Sequence, residues 1–331
     1  MPLSLHFSHI ALMSSIATKT VAPLLVIGSL ATLAYAGVCF ALYSYQRKLI
    51  FRPLPDLVRT PAEVGIPYED VWIPAANNGK LHGWWMPHPG SRKTLLFCHG
   101  NYGNISYNTE RIRLYYSMGF SILAFDYRGY GQSLSQPIFS SVTEGMTGNM
   151  VDTLVDTMTD NSLTVPTEQS TYEDGEAAWQ YLTTQRKLSP SDITILGHSM
   201  GGAIAIHLAH SHPQAARLIV ESSFTTMQDA VHAKKIYRLF PIEQLLTEPF
   251  NSLSKVARLT LPVLYAHGDQ DQDVPTEMSH RLYQASAHPK QLWIAPGVGH
   301  NDIAAVAGDQ YKKVIQSFVE STQHSAASIA A

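Results

Sequence analysis

Residues 193–202 read Ile193-Thr194-Ile195-Leu196-Gly197-His198-Ser199-Met200-Gly201-Gly202, and an apolar, alanine-rich stretch follows to His210. The first four residues are a continuous apolar run of strand length. The last ones open a helix. Between them sits a turn with glycine on either side of a serine, a G-x-S-x-G pattern joining a buried strand to a helix. The glycines are required because the turn is tight and backbone packs closely against it. Such a turn lifts the Ser199 hydroxyl above the sheet. It also puts the Met200 N–H at the start of a helix, where free N–H groups and the helix dipole favour negative charge.

Outward from this turn the chain alternates. Apolar runs 94–98, 122–125, 193–196, 218–220, 263–265 and 292–294 predict strands. Amphipathic patterns around 105–118, 173–184, 201–210, 276–285 and 303–319 predict helices. Two earlier strands, 71–73 and 81–85, flank a turn at Asn77-Asn78-Gly79. Continuous apolar strands separated by helices predict a parallel sheet covered on both faces, hence an α/β domain over about residues 50–320. Two stretches interrupt the alternation. One, near 136–166, carries a methionine-rich helical stripe (Met146, Met150, Met158) and four acidic residues; it reads as a surface excursion or as a lid. The other, 224–259, is rich in Phe, Leu and Pro and fits a short cap. The tail 321–331 is small and polar, and is expected to fray.

A serine hydroxyl needs a base to act as a nucleophile. There are 15 histidines, so position has to choose among them. His300, in Gly297-Val298-Gly299-His300-Asn301-Asp302, follows the last predicted strand. The acid is expected in Gly268-Asp269-Gln270-Asp271-Gln272-Asp273, after strand 263–265, with Asp271 preferred over Asp269 and Asp273. Asp271 would accept from one imidazole nitrogen of His300 and fix its tautomer. An oxyanion hole needs a second N–H besides that of Met200. The loop Cys98-His99-Gly100-Asn101-Tyr102-Gly103-Asn104 supplies the candidates, Asn101 first and Tyr102 second. His99 reads as a brace for that loop.

The amino terminus is a membrane segment in this reading. No Lys, Arg, Asp or Glu occurs between Lys19 and Arg47, and residues 21–43 are long and apolar enough to span a bilayer after a flank of residues 1–20. Ala34-Tyr35-Ala36 also resembles a signal-peptide cleavage site, but the apolar run continues past it. Arg47, Lys48 and Arg52 follow the segment and only Lys19 precedes it, a bias toward a cytoplasmic carboxyl side. That rule is weak for a large domain behind one anchor, so the side stays open.

The chain has 331 residues, of which 45% are apolar and 15% charged, which excludes a disordered chain. Two cysteines exclude a disulfide-stapled scaffold, and a net charge of −3 gives no basic field for nucleic acid. No thiol ligand motif, dinucleotide fingerprint or Walker loop is present, so no metal or cofactor is implied. His207, His210 and His212 lie close enough on one helix for metal ligation, but read more simply as a histidine-rich helix end. Lys234, Lys235 and Arg238 in the cap read as a solvated face, with lipid headgroups as the other option.

Six motifs fall in order on the predicted elements: HGNYGN (99–104), DYRGYG (126–131), GHSMGG (197–202), ESSFT (221–225), HGDQDQDVP (267–275) and GVGHND (297–302). Together with the LIFRP stretch (49–53) they resemble the membrane-anchored α/β-hydrolase-domain serine hydrolases of the Bem-forty-six type, over about residues 45–320. The resemblance implies an eight-stranded, mostly parallel sheet with helices on both faces, a small cap, and Ser199, Asp271 and His300 as a catalytic triad. It implies a membrane-anchored serine esterase or thioesterase acting on a small-molecule or lipid acyl ester. A peptidase or amidase on the same residues, or a catalytically silent acyl-binding scaffold, are the alternatives. The insert near 136–166 departs from the family pattern, in which DYRGYG leads almost directly into the next helix.

Overall fold

The structure is a computed structural model that describes residues 4–134, 165–287 and 289–329, with side chains from 25 to 322. The insert expected at 136–166 falls almost wholly outside the described residues. Eight strands make one sheet: β1 (Glu69–Pro74), β2 (Lys80–Met86), β3 (Thr94–Cys98), β4 (Ser121–Phe125), β5 (Ile193–His198), β6 (Arg217–Glu221), β7 (Val263–Gly268) and β8 (Lys290–Ala295). Across the sheet they run β1-β2-β4-β3-β5-β6-β7-β8. The pairs β1–β2 and β2–β4 are antiparallel, and the rest are parallel.

The hairpin between β1 and β2 forms where the Asn-Asn-Gly turn is expected. Asn77 and Asn78 both have φ of 56°, and the Gly79 N–H donates to the Ala76 carbonyl at 3.1 Å. Two consecutive positive-φ residues at the tip of the connection between Pro74 and Lys80 turn the chain with a twist that matches that of the strands. In the parallel strands, alternate side chains enter two cores. Leu95 and Phe97 of β3 pack on one face of the sheet, while Leu96 and Cys98 pack on the other. These strands read as unbroken apolar runs because both faces are covered.

The helices that matter here are α1 (Ser4–Ile50), α2 (Thr109–Tyr116), α3 (Glu168–Gln180), α4 (Met200–Ser211), α5 (Glu277–Ala285) and α6 (Gly308–Ile329). Trp179 of α3, Ile204 of α4 and Leu282 of α5 bury against one face; Ile112 of α2 and Tyr311 and Phe318 of α6 bury against the other. Some boundaries differ from those read in the sequence. The helix expected from Ile105 opens as a 3₁₀ turn, because the Asn104 side chain accepts the Ser106 N–H at 3.0 Å and caps the chain there. The helix expected at Glu173 starts at Glu168, where the Thr167 hydroxyl accepts the Ser170 N–H at 3.0 Å. The tail expected to fray is helical as far as Ile329, its alanines being good helix formers. The apolar segment at 21–43 is the middle of the much longer α1.

DYRGYG follows β4 and ties the sheet to α3. The Arg128 Nε donates to Asp174 at 2.6 Å and its backbone N–H donates to the same carboxylate at 2.8 Å. Asp174 is fully buried and Arg128 nearly so. Removing one partner of such a pair strands a buried charge and costs about 3–5 kcal/mol. Arg128→Met is expected to lower unfolding free energy by about that much, measured as a lower urea midpoint at unchanged slope.

Candidate active site

The β5–α4 turn sits where backbones nearly touch. Ser199 has φ of 55° and ψ of −122°, a sparsely populated conformation for a residue with a side chain. Its neighbours make this tolerable. A Cβ on Gly197 would collide with the Gly201 carbonyl, one on Gly201 with the Cys98 carbonyl, and one on Gly202 with the Ser223 hydroxyl. The strained residue is then clamped. Its N–H donates to the Glu221 carbonyl at 2.9 Å, and its own carbonyl accepts from the Ser223 hydroxyl at 2.8 Å and the Gly202 N–H at 2.9 Å. Glu221 and Ser223 belong to ESSFT, which explains why that stretch follows β6. The buried Glu221 carboxylate also accepts from Arg111 at 2.6 Å, Tyr115 at 2.9 Å and Tyr311 at 2.7 Å, joining the carboxyl end of β6 to α2 and α6.

His300 lies in the loop after β8. Its Nε2 is 3.0 Å from the Ser199 Oγ and its Nδ1 is 2.7 Å from an Asp271 carboxylate oxygen. The three residues read from three separate loops are thus brought into one hydrogen-bonded line. The competing aspartates go elsewhere. Asp269 accepts the Gly297 N–H at 2.7 Å and so shapes the His300 loop, while Asp273 is exposed and pairs with Lys234 at 3.2 Å. The second Asp271 oxygen accepts the N–H groups of Asp273 and Val274, each at 2.9 Å. Burial alone would raise the Asp271 carboxyl. Hydrogen bonds from His267 and His300 and from the Val274 N–H outweigh it and hold the group well below the usual carboxylate range.

Two further histidines hold this line in place, and neither was singled out from the sequence. His267 is fully buried, with its Nε2 3.0 Å from Asp271 and its Nδ1 2.6 Å from the Ser279 hydroxyl. His198 is 3.0 Å from the His300 carbonyl through its Nε2. Burial, with Arg111 and His300 nearby, keeps the His198 imidazole well below its ordinary pKa and hence neutral. Both lie inside quoted motifs, directly beside the residues that were read as chemical. Their signal was present but had no separate meaning without contacts.

The loop at 99–104 borders the same space. Among the described residues, no acceptor takes the N–H of Asn101 or of Met200, and both residues line the cavity, as does Tyr102. Asn101 is held from three sides. Its carbonyl accepts from the Arg52 N–H at 2.9 Å and the Tyr130 hydroxyl at 2.9 Å, and its amide donates to the Ile50 carbonyl at 2.7 Å. Arg52–Pro53 even pairs in parallel with Tyr102–Gly103. The chain leaving α1 is therefore part of the wall that shapes this loop, a contact between segments about 50 residues apart. His99, expected as a brace, is fully buried, 3.3 Å from Asp126, and accepts the Tyr127 hydroxyl on its carbonyl at 3.0 Å.

A cavity of about 780 Å³ lies over Ser199 and His300. Leu42 and Leu49 of α1 and Phe224, Met227 and Ile242 of the cap form its apolar walls. The histidines near the end of α4 are drawn apart into packing roles. His207 stacks on Tyr172 at 3.7 Å, and His212 stacks on Trp179 at 4.4 Å and meets Glu176 at 2.7 Å. Among the described residues no group of three or more His, Cys, Asp or Glu could hold a metal.

Comparison with known proteins agrees with this architecture. A family model described as alpha/beta hydrolase fold matches residues 93–238, and one named Esterase matches residues 177–328. The uncharacterized protein Rv2307c of Mycobacterium tuberculosis is 32% identical over 298 residues, covering 89% of this chain and 94% of that one. The chain belongs to the α/β-hydrolase family. Protein bem46 of Schizosaccharomyces pombe is 28% identical over 84% of this chain and 87% of its own. An esterase of Pyrococcus furiosus shares the fold, with a TM-score of 0.62 at 21% identity, covering 82% of this chain and 97% of that one.

The depressed Asp271 carboxyl has a pH signature. Its native pKa lies below the unfolded value of about 3.9, so its contribution to stability is complete above that value and is lost as pH falls through the native one. Between pH 5 and 8 it adds no slope. Below about pH 4, wild-type unfolding free energy is expected to fall more steeply than that of Asp271→Asn. Urea titrations of both at stepped pH check this.

Proposed function

We propose that this α/β hydrolase is a membrane-anchored serine hydrolase that cleaves carboxylic ester or thioester bonds of acyl, lipid-like substrates. The observation that carries the reading is the hydrogen-bonded line Ser199–His300–Asp271 at the floor of an apolar cavity. The Ser199 Oγ attacks the acyl carbonyl carbon while the His300 Nε2 accepts its proton. The Asp271 carboxylate, kept ionised, holds the imidazole in register and stabilises the imidazolium. The Asn101 and Met200 N–H groups receive the developing oxyanion, each such donor being worth about 10²–10³ in rate. Collapse expels the alcohol or thiol, which takes the proton from His300. A water molecule, deprotonated by His300, then attacks the acyl-serine, and release of the acid restores the Ser199 hydroxyl.

The anchor reading draws on Leu25–Ile50, a 26-residue stretch of α1 with mean hydropathy 2.1. As a helix it reaches about 39 Å, more than the ~30 Å of a bilayer core. Leu30, Leu33 and Phe40 expose most of their apolar surface, as lipid-facing side chains do.

The test uses the full chain, because Ile50 and Arg52 hold the loop at Asn101. Detergent-solubilised protein is treated with a fluorophosphonate probe and assayed on an acyl-ester, an acyl-thioester and an acyl-amide series. The expected result is labelling at Ser199 and ester or thioester turnover, both lost in Ser199→Ala, with kcat/KM lower by at least about 10⁴-fold. A folded wild type that neither labels nor turns over any ester refutes the reading and favours the acyl-binding scaffold. Preference for the amide series favours the amidase.

A further inference from the structure

The anchor does not stand clear of the domain. The Tyr35 hydroxyl donates to the Leu239 carbonyl at 3.0 Å, and its ring stacks on Phe240 with centroids 5.7 Å apart. Lower on the helix, the Gln46 amide donates to the Leu245 carbonyl at 2.9 Å and accepts the Thr247 N–H at 2.7 Å. Arg47 pairs with the buried Glu248 at 2.6 Å. The cap thus climbs along α1 from Arg47 to Tyr35.

That climb conflicts with a cap lying wholly in water. The charge-free part of α1 runs from residue 20 to 46. Residues 20–34, above the highest cap contact, cover only about 22 Å at the helical rise, against a core of ~30 Å. With the layer taken to begin at the charge-free limit, about 8 Å of it falls to the part of α1 that is already packed on the cap, and more if the helix tilts. We infer that the cap edge at 235–240 is immersed in the bilayer beside the anchor, and that the cavity takes its acyl ester laterally from the membrane.

The surface there fits a lipid occupant. Ile236 and Leu239 are large apolar side chains exposed by 61% and 66%, at the very contact with Tyr35. Lys235 and Arg238 alternate with them and are exposed; long cationic stems of this kind lie along apolar surface and carry their charge up to the phosphate layer. An immersion of this depth is what interfacial amphipathic segments reach. The cap residue Tyr237 and the anchor residues Leu42 and Leu49 line the same cavity as Ser199, so an acyl chain leaving the bilayer between anchor and cap meets apolar side chains on both sides. This deepens the hydrolase reading, on which it rests for its substrate. Lys235 and Arg238 are thereby read as lipid-facing rather than as a solvated face, while Lys234 stays paired with Asp273.

The experiment places a nitroxide label on Leu239→Cys in a Cys39→Ala background, in full-length protein reconstituted into phosphatidylcholine vesicles. Cys98 stays silent, because burial pushes its thiol up to about 12. A label on Lys187→Cys, exposed in the loop that enters β5 at the amino end of the strand, is the aqueous reference. The expected result is a label at 239 that collides with oxygen but is shielded from a water-soluble nickel chelate by at least about tenfold relative to the reference. Equal nickel access at both positions overturns the immersion. The paired change Ile236→Asp with Leu239→Asp is expected to slow turnover of a long-chain ester in vesicles by about tenfold while sparing a soluble short-chain ester. Unchanged turnover of the vesicle ester, or equal loss on both, overturns lateral entry. The label is read without turnover, so a shielded label on a chain that hydrolyses no ester refutes the hydrolase reading and upholds the immersion.

Discussion

The structure depends on one crowded point, where β5 becomes α4 and three glycines let the backbone close on itself. Ser199 is held at a positive φ by hydrogen bonds to Glu221, Ser223 and Gly202. That conformation is unfavourable by an amount of order 1–3 kcal/mol and persists because the surroundings over-determine it. The strand, the helix and the neighbouring strands are placed by apolar burial. The turn itself is placed by the absence of three Cβ atoms. From it follow the exposure of the hydroxyl toward the cavity and the position of the Met200 N–H at a helix start.

Around that point the polar groups form nested supports. Asp271 holds His300, and His267 with two backbone N–H groups holds Asp271. DYRGYG supports the neighbouring loop rather than Ser199, His300 or Asp271. Tyr127 and Tyr130 fix the carbonyls of His99 and Asn101, while Arg128 locks the same turn to α3. The segment leaving α1 adds a strand partner to the loop at 102–103. α1, the cap and the loops around Ser199 therefore share one set of contacts, which makes α1 a structural part of the candidate site.

Much of this is legible in the chain. Apolar runs and amphipathic periods mark every strand of the sheet and the helices packed on its faces, because burial on both faces leaves a local imprint; the short helices of the cap, such as Met227–Ala233, carry no such period. Asn77-Asn78-Gly79 announces its hairpin, because few residue types accept positive φ. The helix boundaries that differ, at Ile105 and Glu168, are set by single capping hydrogen bonds from Asn104 and Thr167, which a periodicity cannot register. The supporting histidines 198 and 267 sit in plain view inside the motifs. Their roles stay hidden because their partners, the His300 carbonyl 102 residues from His198 and the Ser279 hydroxyl 12 residues from His267, are joined to them only by folding.

By itself the sequence determined the alternating α/β architecture, the glycine turn that presents Ser199, the loops that carry His300 and the aspartates, and an amino-terminal segment apolar enough to cross a bilayer. These are local properties, fixed by side-chain periodicity, backbone freedom and hydropathy. Only the tertiary structure decided which of Asp269, Asp271 and Asp273 faces His300, that Arg52 props the loop at Asn101, and that the cap climbs α1 to Tyr35. Each of those is a contact between distant segments, set by how the sheet order brings loop ends together, and no short stretch of chain carries it.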